Sequence, residues 1–423
     1  MKQNLLLFLF LPTLLFGQIS FQDFFEEKTL RVDFTFAGNS EEINAYLSQL
    51  IEEPHWGGRQ ANLDTSLRLG DFLMLLQDAQ SGRTIYEEGF ATLFEEWQDT
   101  EEATRIERSF PNSIVMPYPK VDANLYILKR HQGLFTDTIL NIPIVPHGKE
   151  IVKATLPNFE FSSLVQNLPS QHALDIVILA EGFQEQEMDK FEKASEDLAK
   201  TLMTSKVFGD NAERINIYAV NAVSAESGVD NPLEDEWKDS YFGASFYTLY
   251  SDRYLMVKDI CKVRDAAALV PYDQIYIIVN TSKYGGGGIY NFYSTCSAFG
   301  RDNEEVAIHE FGHGFASLAD EYYYDDNFLI DYIDTTREPW QKNITTLVDF
   351  ESKWADMLSE KTPIPTPEDK AKKYPLGVFE GAAYVSKGVY RSSVDCRMKT
   401  NTAEDFCPVC ERSILEVLDF ITQ

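Results

Sequence analysis

The first part of the chain has the hydrophobic pattern of half-buried strands. Apolar and polar residues alternate with a period of two in residues 30–36, 124–129 and 138–145. Because successive residues of a strand face opposite sides of a sheet, each of these stretches would bury one face. We therefore predict an N-terminal all-β sandwich domain over residues 18–165.

After residue 165 the pattern changes to short apolar runs separated by amphipathic segments. The runs lie at residues 174–179, 215–220 and 274–279, and the helical patterns lie at residues 187–204 and 251–268. Continuous apolar runs are typical of strands buried on both faces, and their alternation with helices indicates a mixed, mostly parallel sheet. We predict an α/β domain over residues 166–423.

The N-terminus has the composition of a signal peptide. Lys2 precedes an apolar run that ends near Gly17. A membrane anchor is the alternative, but the run is shorter than the ~20 residues of a spanning helix, and Pro12 interrupts it. We therefore predict that residues 1–17 are removed and that the protein is exported without a transmembrane anchor, as a secreted, periplasmic or cell-surface protein.

The chain is strongly acidic. Its formal net charge of −30 becomes −31 (−30 − 1) when Lys2 is removed with the leader. Phosphate backbones would repel such a protein, so nucleic acid is excluded as a partner. The acidity is typical of a soluble exported protein and does not identify a substrate.

The most informative motif is a His-Glu-x-x-His sequence at residues 309–313. Residues four apart lie on one face of a helix, so His309 and His313 would bind a single zinc ion, and Glu310 would face its water. Only six histidines occur in 423 residues, so chance seldom produces this spacing. Asp302 or Asn303 is the expected helix cap.

A catalytic zinc ion needs a third protein ligand. No histidine follows His313, so a carboxylate must supply it, and Asp320 and Glu321 are candidates. On a continuous helix Asp320 would lie about 10 Å beyond His313, at ~1.5 Å per residue, so the chain must turn back. Gly314 is expected to help the chain turn. The pattern favours Asp320, with Glu321 or a more distant glutamate as alternatives.

The histidine motif and the sequence Leu-Ala-Asp-Glu-Tyr at residues 318–322 resemble those of the metallopeptidase family named for an immunoglobulin A peptidase. Further similar blocks lie at residues 178–183, 224–230, 388–391 and 396–398. Together they extend from about residue 168 to the end of the chain. The family name does not identify this chain's substrate.

The resemblance implies a site and a fold. Two histidines and an aspartate bind the metal in that family, and the glutamate is the catalytic base. The corresponding residues here are His309, His313, Asp320 and Glu310, with one catalytic Zn²⁺. The resemblance also implies a zincin-like catalytic domain after the β-sandwich.

These features predict a secreted zinc-dependent endopeptidase. Zinc would lower the pKa of its bound water, and Glu310 would take a proton from that water and return it to the leaving amine. By resemblance to other zinc peptidases, Tyr390 is the candidate for oxyanion stabilisation, and Met398 would pack beneath the metal. A zinc-dependent amidase acting on cell-wall or glycan-linked substrates, or an inactive binding protein on the same scaffold, is the alternative.

A run of four glycines precedes the histidine motif, between Gly285 and Gly288. It lacks the Lys-Ser or Lys-Thr of a phosphate loop, so nucleotide binding is not predicted. Its position favours the edge strand of a peptidase cleft. We expect a protein or peptide substrate to pair with an edge between Gly285 and Tyr293.

Five cysteines in an exported chain predict at most two disulfides. Cys407 and Cys410 have the spacing of half a zinc knuckle, but no second pair accompanies them. A local disulfide with Cys396 is the favoured interpretation, and a structural zinc site is the alternative.

Overall fold

The computed structural model describes residues 19–324 and 333–423, and the predicted leader lies outside them. Within these residues the chain is a mixed α/β structure with four sheets. In the same residues, no helix is both long and apolar enough to cross a membrane.

The N-terminal region is rich in strands. Its elements are α1 (Phe21–Phe24), β1 (Phe25–Gly38), β2 (Ile43–Glu53), β3 (Phe72–Asp78), β4 (Thr84–Phe90), α2 (Leu93–Gln98), β5 (Arg108–Pro119), β6 (Ala123–His131), β7 (Leu134–Ile144) and β8 (Ile151–Lys153). They form two four-stranded sheets, ordered β5-β1-β2-β8 and β4-β3-β6-β7. Phe36 of β1 and Phe72 of β3 have ring centroids 4.9 Å apart, so the two sheets share one core. The three stretches of alternating residues fall in β1, β6 and β7, as predicted.

The rest of the chain alternates strands and helices. Its elements are β9 (Phe161–Val165), β10 (Leu174–Glu181), α3 (Met188–Leu202), α4 (Lys206–Gly209), β11 (Ile215–Val220), α5 (Ile260–Ala267), β12 (Gln274–Val279), β13 (Gly286–Ile289), β14 (Tyr293–Ser297), α6 (Asn303–Ala316), β15 (Tyr323–Tyr324), β16 (Ile344–Thr345), β17 (Phe379–Ala382), β18 (Tyr384–Arg391) and α7 (Pro408–Thr422). A six-stranded sheet has the order β13-β14-β12-β10-β11-β9. The strands β11, β10, β12 and β14 are parallel, and both edge strands are antiparallel to their neighbours.

The predicted mostly parallel sheet is confirmed, because the buried apolar runs are β10, β11 and β12. The prediction of a helix over residues 251–268 is wrong in its first half, since α5 begins only at Ile260. Tyr254 and Met256 instead form bridges with Gly286 and Ser245. These long-range pairings hold residues 254–256 extended and override their local helical pattern.

Helix α6, which carries the histidine motif, lies against β13 and β14 and also contacts α3 and α7. A smaller sheet, β15-β18-β16 with β17 beside β18, follows α6 in the sequence. It holds the segment that leaves this helix, because Ala383 N donates to Asp320 O at 2.9 Å and Tyr384 N donates to Tyr322 O at 3.0 Å.

All five cysteines are unpaired, so the expected disulfide with Cys396 is absent from the structure. The sulfur atoms of Cys396 and Cys410 are 3.7 Å apart, well beyond the ~2.05 Å of a disulfide bond. These thiols converge with Cys407 on the carboxylate of Glu321.

Candidate active site

Helix α6 presents both histidines on one face and buries the other. Ile308, Phe311 and Phe315 are buried in the core. Asp302 occupies the capping position before the first turn, without a side-chain hydrogen bond to that turn. The helix ends at Ala316, and Ser317 reverses the chain with a left-handed φ of 55°.

The expected role of Gly314 as the turn is therefore wrong, and the glycines serve close packing instead. A Cβ on Gly314 would lie 2.2 Å from Ser294 Oγ on β14. A Cβ on Gly288 would lie 2.2 Å from the backbone oxygen of Glu310, and one on Gly286 would lie 2.9 Å from Glu310 Cγ. The glycines thus allow β13 and β14 to pack directly on α6.

Three side chains meet at the end of this helix, and we call His309, His313 and Asp320 the histidine site. The two Nε2 atoms are 3.0 Å apart. Asp320 Oδ1 lies 3.0 Å from His309 Nε2 and 3.3 Å from His313 Nε2. Two atoms bound to one zinc ion at ~2.0–2.1 Å and a tetrahedral angle would be about 3.3–3.4 Å apart. The triangle therefore has nearly the size of a metal ligand set.

The hydrogen bonds around the triangle determine which nitrogen of each imidazole has a free lone pair. His309 Nδ1 is 2.9 Å from the carbonyl oxygen of Arg397, and His313 Nδ1 is 2.6 Å from that of Leu318. A carbonyl only accepts, so each Nδ1 carries the proton and each Nε2 is left to bind a cation. Among the residues that the structure describes, none donates a hydrogen bond to the buried Oδ1 of Asp320.

The triangle favours a positive charge at its centre. Burial alone would lower the pKa of His313, but the Asp320 carboxylate outweighs it and raises that pKa to about 9. Two imidazole nitrogens and one carboxylate oxygen are also a donor set that zinc accepts. The residues of the histidine site therefore fit a metal ion.

Glu310 lies beside the histidine site without replacing a ligand. Its carboxylate and the nitrogens of His309 and His313 lie within 4.8 Å of one another. Burial raises the pKa of Glu310, Asp320 raises it further, and the two histidines act in the opposite direction. Glu310 is thus held next to the three residues of the histidine site.

Asp320 and Glu321 point into different pockets. Asn343 holds the segment, because its Oδ1 accepts from Ala319 N and its Nδ2 donates to Ala319 O, both at 2.8 Å. Glu321 N donates to Met398 O at 2.8 Å. Asp320 joins the histidines, whereas the Glu321 carboxylate receives the Cys410 thiol at 3.3 Å. The third position of the triangle is therefore filled by Asp320.

Comparison with known families identifies the family of this chain. A family model described as IgA Peptidase M64 matches residues 163–375 and 368–418, and one described as Peptidase M64 N-terminus matches residues 20–139. The chain belongs to the IgA peptidase M64 family. It is therefore a metallopeptidase, with a protein substrate, as the resemblance in the sequence implied. No curated protein matches the chain.

Two tyrosines of this M64 peptidase, Tyr322 and Tyr384, lie beside Asp320; Tyr322 ends the motif at residues 318–322, but no sequence pattern singled out Tyr384. The hydroxyl of Tyr384 donates to Asp320 Oδ2. Burial and the Asp320 carboxylate raise the pKa of Tyr322, whose hydroxyl receives a hydrogen bond from Arg253 Nη2 at 3.0 Å. The side chain of Arg253 is also 5.3 Å from the centre of the Tyr322 ring. These residues come from three distant segments, so only the fold brings them together.

The structure places Tyr390 in a different neighbourhood. In β18 it pairs with Glu380 of β17 and with Thr345 of β16. Burial and Glu380 raise the pKa of its hydroxyl, and Lys387 lowers it. Met398 is fully buried, and its sulfur would lie 2.8 Å from a Cβ on Gly312, so it packs directly against α6.

The N-terminal region also contributes a group near the histidine site. Glu96 of α2 accepts a hydrogen bond from Tyr254 Oη at 2.5 Å. Burial raises its pKa to about 7, although Tyr254 and His313 lower it. A carboxylate from the strand-rich region therefore lies within electrostatic reach of His313.

Proposed function

We propose that this metallopeptidase is a secreted zinc-dependent endopeptidase with Glu310 as its catalytic base. The observation that carries the proposal is the triangle of His309, His313 and Asp320 beside Glu310. Its nitrogen and oxygen donors suit Zn²⁺, and three protein ligands leave a fourth position for water or substrate.

A zinc ion held by these residues would supply Lewis acidity that lowers the pKa of a water molecule and polarises the scissile carbonyl. Glu310 accepts the proton of the attacking water and passes it to the leaving amine. Its raised pKa makes Glu310 a stronger base and thus favours the first transfer, from water to the carboxylate.

The developing oxyanion needs a donor in addition to the metal. Arg253 and Tyr322 are placed for this role by their proximity to Asp320. Tyr390 stays a candidate by resemblance to other zinc peptidases. We propose Arg253 with Tyr322 as the first pair to test, because the Asp320 carboxylate of the triangle interacts electrostatically with both.

We also propose a zincin-like catalytic domain over residues 166–423, a β-sandwich domain over residues 18–165 and a signal peptide over residues 1–17. Packing of α6 beneath β13 and β14 supports the first. The second is supported by a separate apolar core formed by residues 19–144. Cleavage of the leader would be read by N-terminal sequencing of the protein exported by its native host.

A substrate strand is proposed to pair with the outer edge of β13. That edge is partly occupied, because Gly286 N donates to Arg253 O at 3.2 Å and Leu255 N donates to Gly286 O at 3.1 Å. An extended peptide would therefore pair beyond Gly286, toward Ile289, directly above Glu310.

The decisive experiment measures zinc content and cleavage of a protein substrate on the same preparation. Glu310→Ala is expected to keep zinc and fold but to lose turnover by about 10²–10⁴-fold, the usual contribution of a proton shuttle. Glu304→Ala, an exposed residue on the first turn of the same helix, is the control and should retain activity. Near-normal turnover of Glu310→Ala with zinc bound would refute the mechanism.

A further inference from the structure

A second group of potential metal ligands lies behind the histidine site. We call Cys396, Cys407, Cys410 and Glu321 the cysteine site. One ligand atom from each of the four lies within 4.8 Å of the others. Cys410 Sγ is 3.7 Å from Cys396 Sγ and 3.3 Å from Glu321 Oε1. Two sulfur atoms bound to one zinc ion at ~2.3 Å and a tetrahedral angle would be about 3.8 Å apart.

The burial of the Glu321 carboxylate in this group has a high cost in free energy. Glu321 has no exposed surface, and its Oε2 has no hydrogen-bond partner among the described residues. Its other oxygen receives Asn343 Nδ2 at 3.1 Å and the Cys410 thiol. The nearby guanidinium of Arg391 donates elsewhere, to the carbonyls of residues 380 and 381 and to Glu368. A buried carboxylate with so little compensation needs a cation.

Two of the three thiols lie at the N-terminal end of a helix. Cys407 caps the N-terminus of α7, and Cys410 lies in its first turn. The positive end of a helix dipole lowers the free energy of a thiolate at this position. Cys407 N also donates to Cys396 Sγ at 3.2 Å. Peptide donors to sulfur orient a thiolate ligand in the way that outer-shell hydrogen bonds orient other metal ligands.

We propose that Cys396, Cys407, Cys410 and Glu321 bind a second Zn²⁺, as a closed structural site that is separate from the catalytic one. Three sulfurs and one oxygen complete a tetrahedron and leave no position for water, which is the arrangement of a structural zinc. Binding releases the protons of the three thiols and involves no change of oxidation state. A disulfide would use two of the thiols and leave Glu321 with no cation.

This ion would stabilise the backbone that holds the histidine site. Glu321 follows Asp320 directly, and Arg397, whose carbonyl receives His309 Nδ1, follows Cys396. One zinc ion would therefore link the segment after α6, the turn around Met398 and the start of α7. Its effect on catalysis would be indirect, through the positions of Asp320 and His309.

Zinc stoichiometry and thiol counts test this proposal without relying on activity. The purified mature protein should contain two zinc ions per chain by elemental analysis. Denaturation in chelator without reductant should release five free thiols, the full cysteine content. Three free thiols would reveal a disulfide and overturn the proposal.

Variants then separate the two sites. His313→Ala should retain one zinc ion, and its cobalt-substituted form should show thiolate-to-cobalt charge transfer. Adding Cys410→Ser should remove both the ion and this absorption, whereas adding Cys261→Ser, a half-buried cysteine on α5, should remove neither.

The two proposals fail in different ways. A single zinc ion in the wild type that is lost in His313→Ala would overturn the cysteine site and leave the catalytic proposal intact. A single ion that persists in His313→Ala would overturn the catalytic zinc site and leave the cysteine site intact. The wild-type measurements decide the matter even if Cys410→Ser does not fold.

Discussion

The histidine site and the cysteine site are built on adjacent residues but differ in their access to solvent. The side chains of His309, His313 and Asp320 are 14%, 17% and 7% exposed. The four residues of the cysteine site are at most 5% exposed. In our proposals the open site has three ligands and a neighbouring base, and the closed site has four ligands and no base. The difference indicates that chemistry belongs to the first and stabilisation to the second.

The sharpest test replaces each of the two neighbouring carboxylates, Asp320 and Glu321, by alanine in separate variants. Asp320→Ala should lose the ion of the histidine site and lower turnover on the order of 10³-fold, more than the ~10–100-fold of an outer-shell change. Glu321→Ala should keep that ion, lose the one in the cysteine site and chiefly lower the free energy of unfolding. Zinc analysis, turnover and chemical denaturation measure the three effects. Similar losses of activity and zinc in both variants would contradict the comparison.

Chelation should distinguish the sites by rate. We expect a chelator such as EDTA to remove one zinc ion quickly, with loss of activity that added zinc reverses. The second ion should leave only when the protein unfolds, because its ligands are buried. Zinc release and turnover are followed together over time. Simultaneous release of both ions from folded protein would show that the cysteine site is not closed.

Tyr384 should affect the histidine site alone. Tyr384→Phe removes the hydroxyl that donates to Asp320 Oδ2 and should weaken zinc binding there by about 10–100-fold. Competition with a zinc-binding dye measures that affinity, and Tyr390→Phe is the matched control. If Tyr390→Phe lowers kcat without changing zinc affinity, Tyr390 is the oxyanion donor that the sequence suggested.

The smallest effect concerns Glu96, which interacts electrostatically with His313 and Asp320 of the histidine site. Its pKa is about 7 in the folded protein, against 4.5 for an ordinary glutamate, and burial is the main cause. The folded state therefore binds more protons between these values, so this group's contribution to stability falls as pH rises from about 4.5 to 7. The stability of Glu96→Gln relative to wild type should rise over that window and level off above it. Urea denaturation from pH 4 to 8 measures the difference, and a flat difference would contradict the burial of this carboxylate.

The sequence predicted those features of the fold and site that depend only on residues close together in the chain. The apolar runs of β10, β11 and β12 and the spacing of His309 and His313 required no knowledge of the fold. The helix predicted from residue 251 failed because Tyr254 and Met256 pair with distant segments. The sequence favoured a disulfide over a structural zinc site at Cys407 and Cys410, because the fourth donor that we propose, Glu321, comes from a segment far earlier in the chain. Arg253 and Tyr384 were missed for the same reason.

The division of Asp320 and Glu321 between two pockets has a consequence for how the chain can vary in length. Insertion or deletion of one residue just before this pair would shift the register, so that each carboxylate faced the wrong pocket. Hydrogen bonds at Ala319 N, Asp320 O and Glu321 N fix that register. The distance in sequence from His313 to Asp320 should therefore be invariant among active homologues, even where the following loop changes length.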